Sequence, residues 1–150
     1  LPPSRLKLEI TERVISQDLE KVGRMMAALS EKGIGFYLDD FGVGYSNFSM
    51  VLRLPLESVK IDRSLIAGIL DSPENKLVVR SLISLFHSCG FTVICEGVET
   101  AEQCRVVKEL GADCIQGFYY ANSMEPRVFS AFLRKTPARP AVSAAPRAEN

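Results

Sequence analysis

The chain has 150 residues, of which 47% are hydrophobic and 24% charged, and its net charge is zero. These proportions are typical of one packed domain or part of one, and a neutral chain has no overall attraction for nucleic acid or an anionic membrane. No apolar stretch approaches the roughly 18 residues of a transmembrane helix. We therefore expect no DNA or RNA partner and no membrane segment within this chain, although domains outside it could anchor the parent protein to a membrane. The four cysteines lack C-x-x-C spacing, which favours reduced thiols in the cytoplasm.

The N-terminal half predicts a strand, a helix, a second strand, a glycine-bearing loop and a short helix. In chain order their bounds are 6–12, 17–32, 34–40, 41–46 and 47–53. The long helix is indicated by apolar residues at helical spacing, with Ser16 as its N-cap and Gly33 as its C-terminal stop. Because the chain starts at Leu1 and a strand follows almost at once, we expect it to begin inside a larger protein.

The C-terminal half continues with three strands, each followed by a helix. In chain order the bounds are 58–62, 73–89, 92–96, 101–110, 114–117 and 126–133. Ser72 before a proline is a favoured helix start, and Thr100 with Gln103 forms a capping box. The residues expected to be buried by the first and last of these helices are Val78, Leu82, Leu85, Phe86, Cys89, Val128, Phe129, Phe132 and Leu133. The Ala/Pro-rich stretch 136–150 predicts a disordered tail, which leaves 1–135 as the domain.

Strands that alternate with helices imply a parallel sheet with right-handed crossovers. Both an open doubly wound sheet and a (β/α) barrel have this property. Polar side chains at the carboxyl ends of several strands favour the barrel, because barrel active sites are assembled from those ends. A complete barrel has eight strands and about 250 residues. The sequence therefore predicts an α/β fold that is the C-terminal portion of a barrel, with about five parallel strands.

Charged or amide side chains recur where the predicted strands end. They are Glu9, Asp39, Asp40, Lys60, Glu96 and Gln116. A buried charge is costly unless a partner or a metal compensates it. Oxygen donors suit Mg²⁺ or Mn²⁺, and four acids could hold two ions about 3.5–4 Å apart for in-line phosphodiester hydrolysis.

Other interpretations of these residues remain open at the level of sequence. Lys60 could stabilise developing negative charge, or it could form a buried ion pair with one of the acids. Asp39 and Asp40 could instead cap a helix. Glu12 and Glu99 could be solvated loop charges.

These residues lie in motifs that resemble those of EAL-domain cyclic-di-GMP phosphodiesterases. The motifs are Glu9-Ile10-Thr11-Glu12, Leu38-Asp39-Asp40-Phe41-Gly42-x-Gly44-Tyr45-Ser46, Val59-Lys60-Ile61-Asp62, Cys95-Glu96-Gly97-Val98-Glu99-Thr100 and Gln116-Gly117. Five linked motifs in the order and spacing of the family make the resemblance specific.

The resemblance implies a modified TIM barrel with one antiparallel strand. It also implies hydrolysis of cyclic di-GMP to linear pGpG with a two-ion site for Mg²⁺ or Mn²⁺. Glu9, Asp39 and Asp40 match metal ligands of the family. Glu96 matches the acid that serves the second metal or acts as general base, and Lys60 matches the residue that holds the nucleophilic water.

Further roles follow from the same resemblance. Gln116 matches a polar group at the substrate end of the site, and Glu12 matches the glutamate that tethers the loop after Asp40. The resemblance also implies that the intact protein is a homodimer, with the loop region 40–46 contributing to the dimer. The Glu-Ala-Leu motif and an upstream asparagine ligand of the family are absent from this sequence. We therefore expect this segment alone to be inactive; the alternatives are a silent cyclic-di-GMP receptor and a Mg²⁺-dependent barrel enzyme of another class.

Overall fold

The computed structural model describes residues 1–43 and 48–135. Three predictions fall wholly or partly outside the described residues. They are the disordered tail over 136–150, the glycine-bearing loop at 44–46, and the first residue, 47, of the predicted short helix. No described helix is both long enough and apolar enough to cross a bilayer.

A five-stranded parallel sheet forms the centre of the described chain. Its strands are β1 Lys7–Thr11, β2 Gly35–Phe41, β3 Ser58–Ile61, β4 Thr92–Cys95 and β5 Cys114–Ile115. Each strand pairs with the next one along the chain, so that the spatial order never reverses. An open doubly wound sheet reverses its order at a switch point, whereas consecutive units of a barrel wall do not. The predicted α/β fold with five parallel strands is confirmed, and the strand order favours the barrel.

Helices connect all the strands. They are α1 Glu12–Gln17, α2 Leu19–Ser30, α3 Phe48–Val51, α4 Arg63–Ala67, α5 Pro73–Ser88, α6 Ala101–Glu109 and α7 Pro126–Lys135. The sequence did not predict α4. The helix predicted over 17–32 is confirmed as α2, whose bounds lie two residues inside the predicted ones, whereas α1 was not predicted and is separated from α2 at Asp18. The Asp18 side chain accepts a hydrogen bond from the Lys21 backbone N–H at 3.0 Å and so caps α2. Ser16 lies inside α1 and caps nothing.

Two other predicted caps are confirmed. The Ser72 hydroxyl accepts a hydrogen bond from the Asn75 backbone N–H at 3.1 Å and starts α5. Thr100 and Gln103 form a reciprocal capping box at the start of α6. Gly33 has a positive φ of 88° after α2, as a C-terminal stop requires.

The core lies between one face of the sheet and the helices. It is formed by alternate strand residues, among them Ile10, Leu38, Val59 and Val93, which are buried under helices α2, α5 and α6. The predicted face of α5 is confirmed in part, because Phe86 is buried and Leu82 and Cys89 pack half-buried against the core. Val79, Ile83 and Phe86 are buried, whereas Val78 and Leu85 are more than 40% exposed. Adjacent apolar stripes occur on this helix, and only its packing on the sheet selects one of them.

The predicted burial of α7 is wrong. No residue of this helix is buried, and Val128, Phe129 and Leu133 are each about half exposed. Its sequence predicts an apolar face correctly, because those residues recur at helical spacing. Periodicity does not report whether another element covers that face.

Candidate metal centre

The side chain of Lys60 joins the carboxyl ends of three strands. Its Nζ lies 2.8 Å from Glu9 Oε1, 2.8 Å from Asp39 Oδ1 and 2.7 Å from Glu96 Oε1. Only 5% of the Lys60 side chain is exposed. The structure thus brings together a cation and three acids that lie on β1, on β2 and directly after β4.

The parallel register explains this convergence. Glu9 is paired with Tyr37, Tyr37 with Ser58, and Lys60 with Ile94. Side chains two positions apart in a strand share a face, so Glu9, Asp39, Lys60 and Glu96 all project from the same face of the sheet. The opposite face carries the apolar residues that pack under the helices. One face of the sheet therefore packs in the core, and the other face is polar at the carboxyl ends of the strands.

Lys60 is held in its charged form. Burial by itself would lower the pKa of Lys60, but the contacts with Asp39, Glu9 and Glu96 outweigh burial and raise the pKa above its ordinary value. The ammonium therefore donates hydrogen bonds and cannot act as a base at neutral pH. Four nearby carboxylates against one ammonium leave the cluster negatively charged, which favours a further cation.

Asp39 and Asp40 face one site even though neighbouring strand residues normally point to opposite faces. The register between β2 and β3 shifts between Leu38 and Phe41, and Asp40 has a positive φ of 55°. A bulge inside β2, rather than the end of the strand, turns the second aspartate inward. As a result, carboxylate oxygens of Asp39, Asp40 and Glu96 lie within 4.8 Å of one another.

The electrostatics of Glu96 also suit a cation. Burial raises the pKa of Glu96 above its ordinary value, the contact with Lys60 opposes this rise, and the charges of Asp39 and Glu9 add to it. Ionised Glu96 is destabilised by burial, and a bound divalent ion would offset that cost. Three oxygen donors within ion-binding distance fit Mg²⁺ or Mn²⁺. Glu9 contacts Lys60, but it is outside this group of three and its side chain is 49% exposed.

Gln116 and Glu12 occupy different positions around the centre. Gln116 directly follows β5, and its backbone N–H donates to Cys95 O at 2.9 Å. Its side chain lines the pocket described below. Glu12 is the first residue of α1, and its Oε1 is buried without a hydrogen-bond partner among the described residues.

A pocket of about 650 Å³ opens beside the three acids. This volume is in the range of small-molecule sites. Its lining residues are Asp40, Val43, Asp62, Arg63, Ser64, Glu96, Gly97, Glu99, Gln116, Gly117 and Phe118. Sequence reasoning assigned no site role to Arg63, Ser64 or Phe118. Their position just after β3 and β5 is the signal that could have identified them, since residues that follow barrel strands form the mouth of the site.

Two glycines allow the loops around this pocket to pack closely against each other. Gly97 has a positive φ of 67°, and a Cβ at this position would overlap the Cβ of Arg63. A Cβ on Gly117 would overlap the backbone of Val98. Val98 in turn donates a backbone hydrogen bond to Gln116 O at 3.2 Å. The loops after β3, β4 and β5 therefore touch backbone to backbone, and side chains at these glycines would separate them.

Comparison with known proteins identifies similar sequences and structures. Residues 1–123 match the EAL domain family model. The chain is 34% identical to the cyclic di-GMP phosphodiesterase PA2567 of Pseudomonas aeruginosa, over 88% of this chain and 22% of that protein. It spans about a fifth of the length of the curated relatives that it matches.

Solved structures give the same result. The EAL domain of Mycobacterium smegmatis DcpA superposes with a TM-score of 0.85 at 33% identity, covering 93% of this chain and 62% of that domain. A manganese and cyclic-di-GMP complex of Klebsiella pneumoniae BlrP1 superposes with a TM-score of 0.76 at 30% identity. That match covers 81% of this chain and 31% of BlrP1.

Proposed function

Because the chain belongs to the EAL domain family, we propose that it is the C-terminal part of a domain that hydrolyses cyclic di-GMP to linear pGpG. Relatives in this family are named cyclic di-GMP phosphodiesterases. The observation that carries the proposal is the group formed by Asp39, Asp40 and Glu96, which stands beside a protonated Lys60 at the mouth of a nucleotide-sized pocket. Hydrolysis would lower the level of this second messenger in the cytoplasm.

Asp39, Asp40 and Glu96 would hold a divalent ion, Mg²⁺ or Mn²⁺, and Glu9 would join them at a second ion. Support comes from the donor set of this chain and from the manganese complex of a related protein. Bound ions of this type supply Lewis-acid polarisation of a phosphoryl oxygen and lower the pKa of water. The polar face of the sheet thus provides the charge that the ion and the phosphodiester require.

The remaining chemistry belongs to the side chains of this chain. Lys60, held positive by three carboxylates, positions the attacking water and stabilises charge on the phosphoryl group. Its three N–H donors contact Glu9, Asp39 and Glu96 in this structure, so one of them has to pass from a carboxylate to the water. Glu96 serves the second ion or, as general base, accepts the proton of that water. Gln116 binds substrate from the wall of the pocket.

Two further roles are proposed outside the reacting centre. The Oε1 of Glu12 is buried and has no hydrogen-bond partner among residues 1–43 and 48–135, so it is available to tether the loop that follows Asp40. That same loop region, 40–46, would contribute to a homodimer of the intact protein. Both proposals rest on the resemblance of the motifs to those of the family.

The test is an assay of the full-length protein with cyclic di-GMP and Mg²⁺ or Mn²⁺, with pGpG measured by chromatography. Lys60→Ala and Asp39→Ala should each lower pGpG release by roughly 100-fold or more, because each removes charge from the reacting centre. Lys21→Ala, an exposed lysine on α2, is the control and should keep full activity. A wild-type protein that binds cyclic di-GMP but releases no linear product is a receptor, and the proposed hydrolysis would be wrong.

A further inference from the structure

The bulge at Asp40 depends on where the next residue, Phe41, is buried. Along β2 the side chains of Phe36, Leu38 and Phe41 are buried, so the spacing between buried positions is two residues and then three. Regular alternation along a strand would bury residue 40 instead. The bulge therefore places Phe41, and not Asp40, in the core position paired with Ile61.

A ring on a distant helix holds Phe41 in that position. The ring of Phe86, on α5, meets the ring of Phe41 edge-to-face, with 4.8 Å between the ring centroids and 86° between the ring planes. Phe86 is 0% exposed, and its ring centroid also lies 5.6 Å from that of Phe48 and 6.2 Å from that of Phe91. These four phenylalanines form an aromatic group with Phe86 at its centre. The backbone adds a hydrogen bond from the Asp62 N–H to Phe41 O at 3.1 Å.

The packing of Phe41 has to offset an unfavourable backbone conformation at Asp40. The φ of Asp40 is 55°, in the left-handed region that is costly for a residue with a side chain. Burial of a phenylalanine ring and an edge-to-face contact together stabilise by more than this strain costs. A smaller side chain in place of Phe86 would remove part of that stabilisation. A larger fraction of molecules would then relax toward a regular register, in which the Asp40 carboxylate leaves the ion-binding group.

From these contacts we infer that Phe86 is a positioning residue for the metal centre. It is buried in the core, and it acts through Phe41 to hold the Asp40 carboxylate within the group of three acids. Phe86 lies 46 residues beyond Asp40 in the sequence, so no local motif reports this role. The inference rests on the proposed function, since it concerns the ion that the proposed reaction uses.

The experiment measures Mn²⁺ affinity and stability separately in the full-length protein. Calorimetric titration with Mn²⁺ in the absence of substrate gives the dissociation constant, and thermal unfolding of the metal-free protein gives the stability. The variants are Phe86→Leu and the milder Phe86→Met, which nearly conserves volume and keeps a favourable contact with an aromatic ring. Phe36→Leu is the matched control, because it makes the same change at a buried position of β2 whose ring is outside the aromatic group.

Phe86→Leu should raise the Mn²⁺ dissociation constant by roughly 10-fold or more, the usual effect of removing the support of a metal ligand. Phe86→Met should raise it less. Phe36→Leu should lower the unfolding temperature by a similar amount as Phe86→Leu and bind Mn²⁺ as the wild type does. The effect should also depend on Asp40. In an Asp40→Gly background the carboxylate is already absent, so Phe86→Leu should cause no further loss of Mn²⁺ affinity.

Three outcomes would overturn the inference alone. Wild-type Mn²⁺ affinity in Phe86→Leu, or in Phe86→Met if Phe86→Leu does not fold, would make Phe86 a core residue only. An equal loss of affinity in Phe36→Leu would indicate a general loosening of the sheet. An equal loss on Phe86→Leu with and without the Asp40 carboxylate would show that Phe86 does not act through Asp40. A wild-type protein that binds no Mn²⁺ would refute the ion site of the proposed function as well.

Discussion

Asp40 combines a charged side chain with a backbone conformation that few residues adopt. Its φ of 55° lies in the left-handed region, which costs a non-glycine residue about 1–2 kcal/mol and is best tolerated by Asn, Asp and Gly. The same conformation turns the carboxylate toward Asp39 and Glu96. Strain at this residue is therefore tied to ion binding, as expected for a functional bulge.

Substitution of Asp40 should separate stability from ion binding. Asp40→Gly relieves the backbone strain and should stabilise the metal-free full-length protein by about 1 kcal/mol, while its affinity for Mn²⁺ falls. Asp40→Val should lower both the stability and the Mn²⁺ affinity, because a β-branched residue is poorly tolerated at positive φ and valine has no carboxylate. Thermal unfolding and Mn²⁺ calorimetry measure the two effects. Unchanged Mn²⁺ affinity in Asp40→Gly would remove Asp40 from the ligand set.

Glu96 should give a pH-dependent stability. Since its pKa is raised in the folded state, the protein gains stability from Glu96 below the ordinary carboxyl pKa and loses it as the pH rises through the higher folded pKa. In metal-free protein, Glu96→Gln should therefore be more stable than wild type at pH 7, by about 1 kcal/mol or less, with no advantage near pH 4. Denaturant unfolding at both pH values measures this, with Glu31→Gln on the exposed surface as control. A variant less stable than wild type at pH 7 would contradict it.

At the scale of the elements, the loops after β3, β4 and β5 are held together by glycine. Because Gly97 has no side chain, Arg63 packs directly against it. The backbone of Val98 packs against Gly117 for the same reason. The metal ligand Glu96 and the pocket residue Gln116 lie beside these contacts. Close backbone approach, rather than side-chain packing, therefore fixes the distance between Glu96 and Gln116.

Alanine at Gly117 should disrupt this contact. Because the clash is with backbone and not with a flexible side chain, Gly117→Ala should destabilise the full-length protein by about 3 kcal/mol or more and lower activity. Gly23→Ala is the control inside α2, where the new Cβ meets Leu54 Cδ2 at an ordinary 3.5 Å. It should stabilise by about 0.5–1 kcal/mol through helix propensity. Denaturant unfolding measures the free energy of unfolding of both variants. Equal changes in Gly117→Ala and Gly23→Ala would refute the proposed backbone clash at Gly117.

At the scale of the whole molecule, the described sheet has two edge strands, β1 and β5, and helix α7 presents an uncovered apolar face. The chain aligns with only 62% of the DcpA EAL domain. Unpaired strand edges and exposed apolar faces favour association with other chains.

The 150-residue chain on its own should therefore self-associate and show no pGpG release. Phe129→Glu with Leu133→Glu should reduce association, because both side chains lie on the exposed face of α7 and are about half exposed. Lys135→Glu at the end of the same helix reverses one charge without removing apolar area, and it changes the net charge by the same amount as the double variant, so it is the control. Size-exclusion chromatography with light scattering measures the assembly. A monomeric chain that hydrolyses cyclic di-GMP would contradict the prediction.

Much of this architecture is determined locally in the sequence. The alternation of strands and helices along the chain, the caps at Ser72 and Thr100, and the presence of polar residues after the apolar strand runs all follow from short-range patterns. Caps are recognisable because one side chain satisfies backbone groups two or three residues away. The acids at the strand ends were identified because a charge is costly to bury among apolar neighbours.

Tertiary structure alone decided the rest. Which stripe of α5 is buried depends on the sheet beneath it. The bulge that turns Asp40 inward is set by pairing between β2 and β3, and the position of Arg63 is set by contact with Gly97, which lies 34 residues further along the chain. Local periodicity fixes which residues are polar or apolar, whereas the distances between them arise from packing between segments that are remote in sequence.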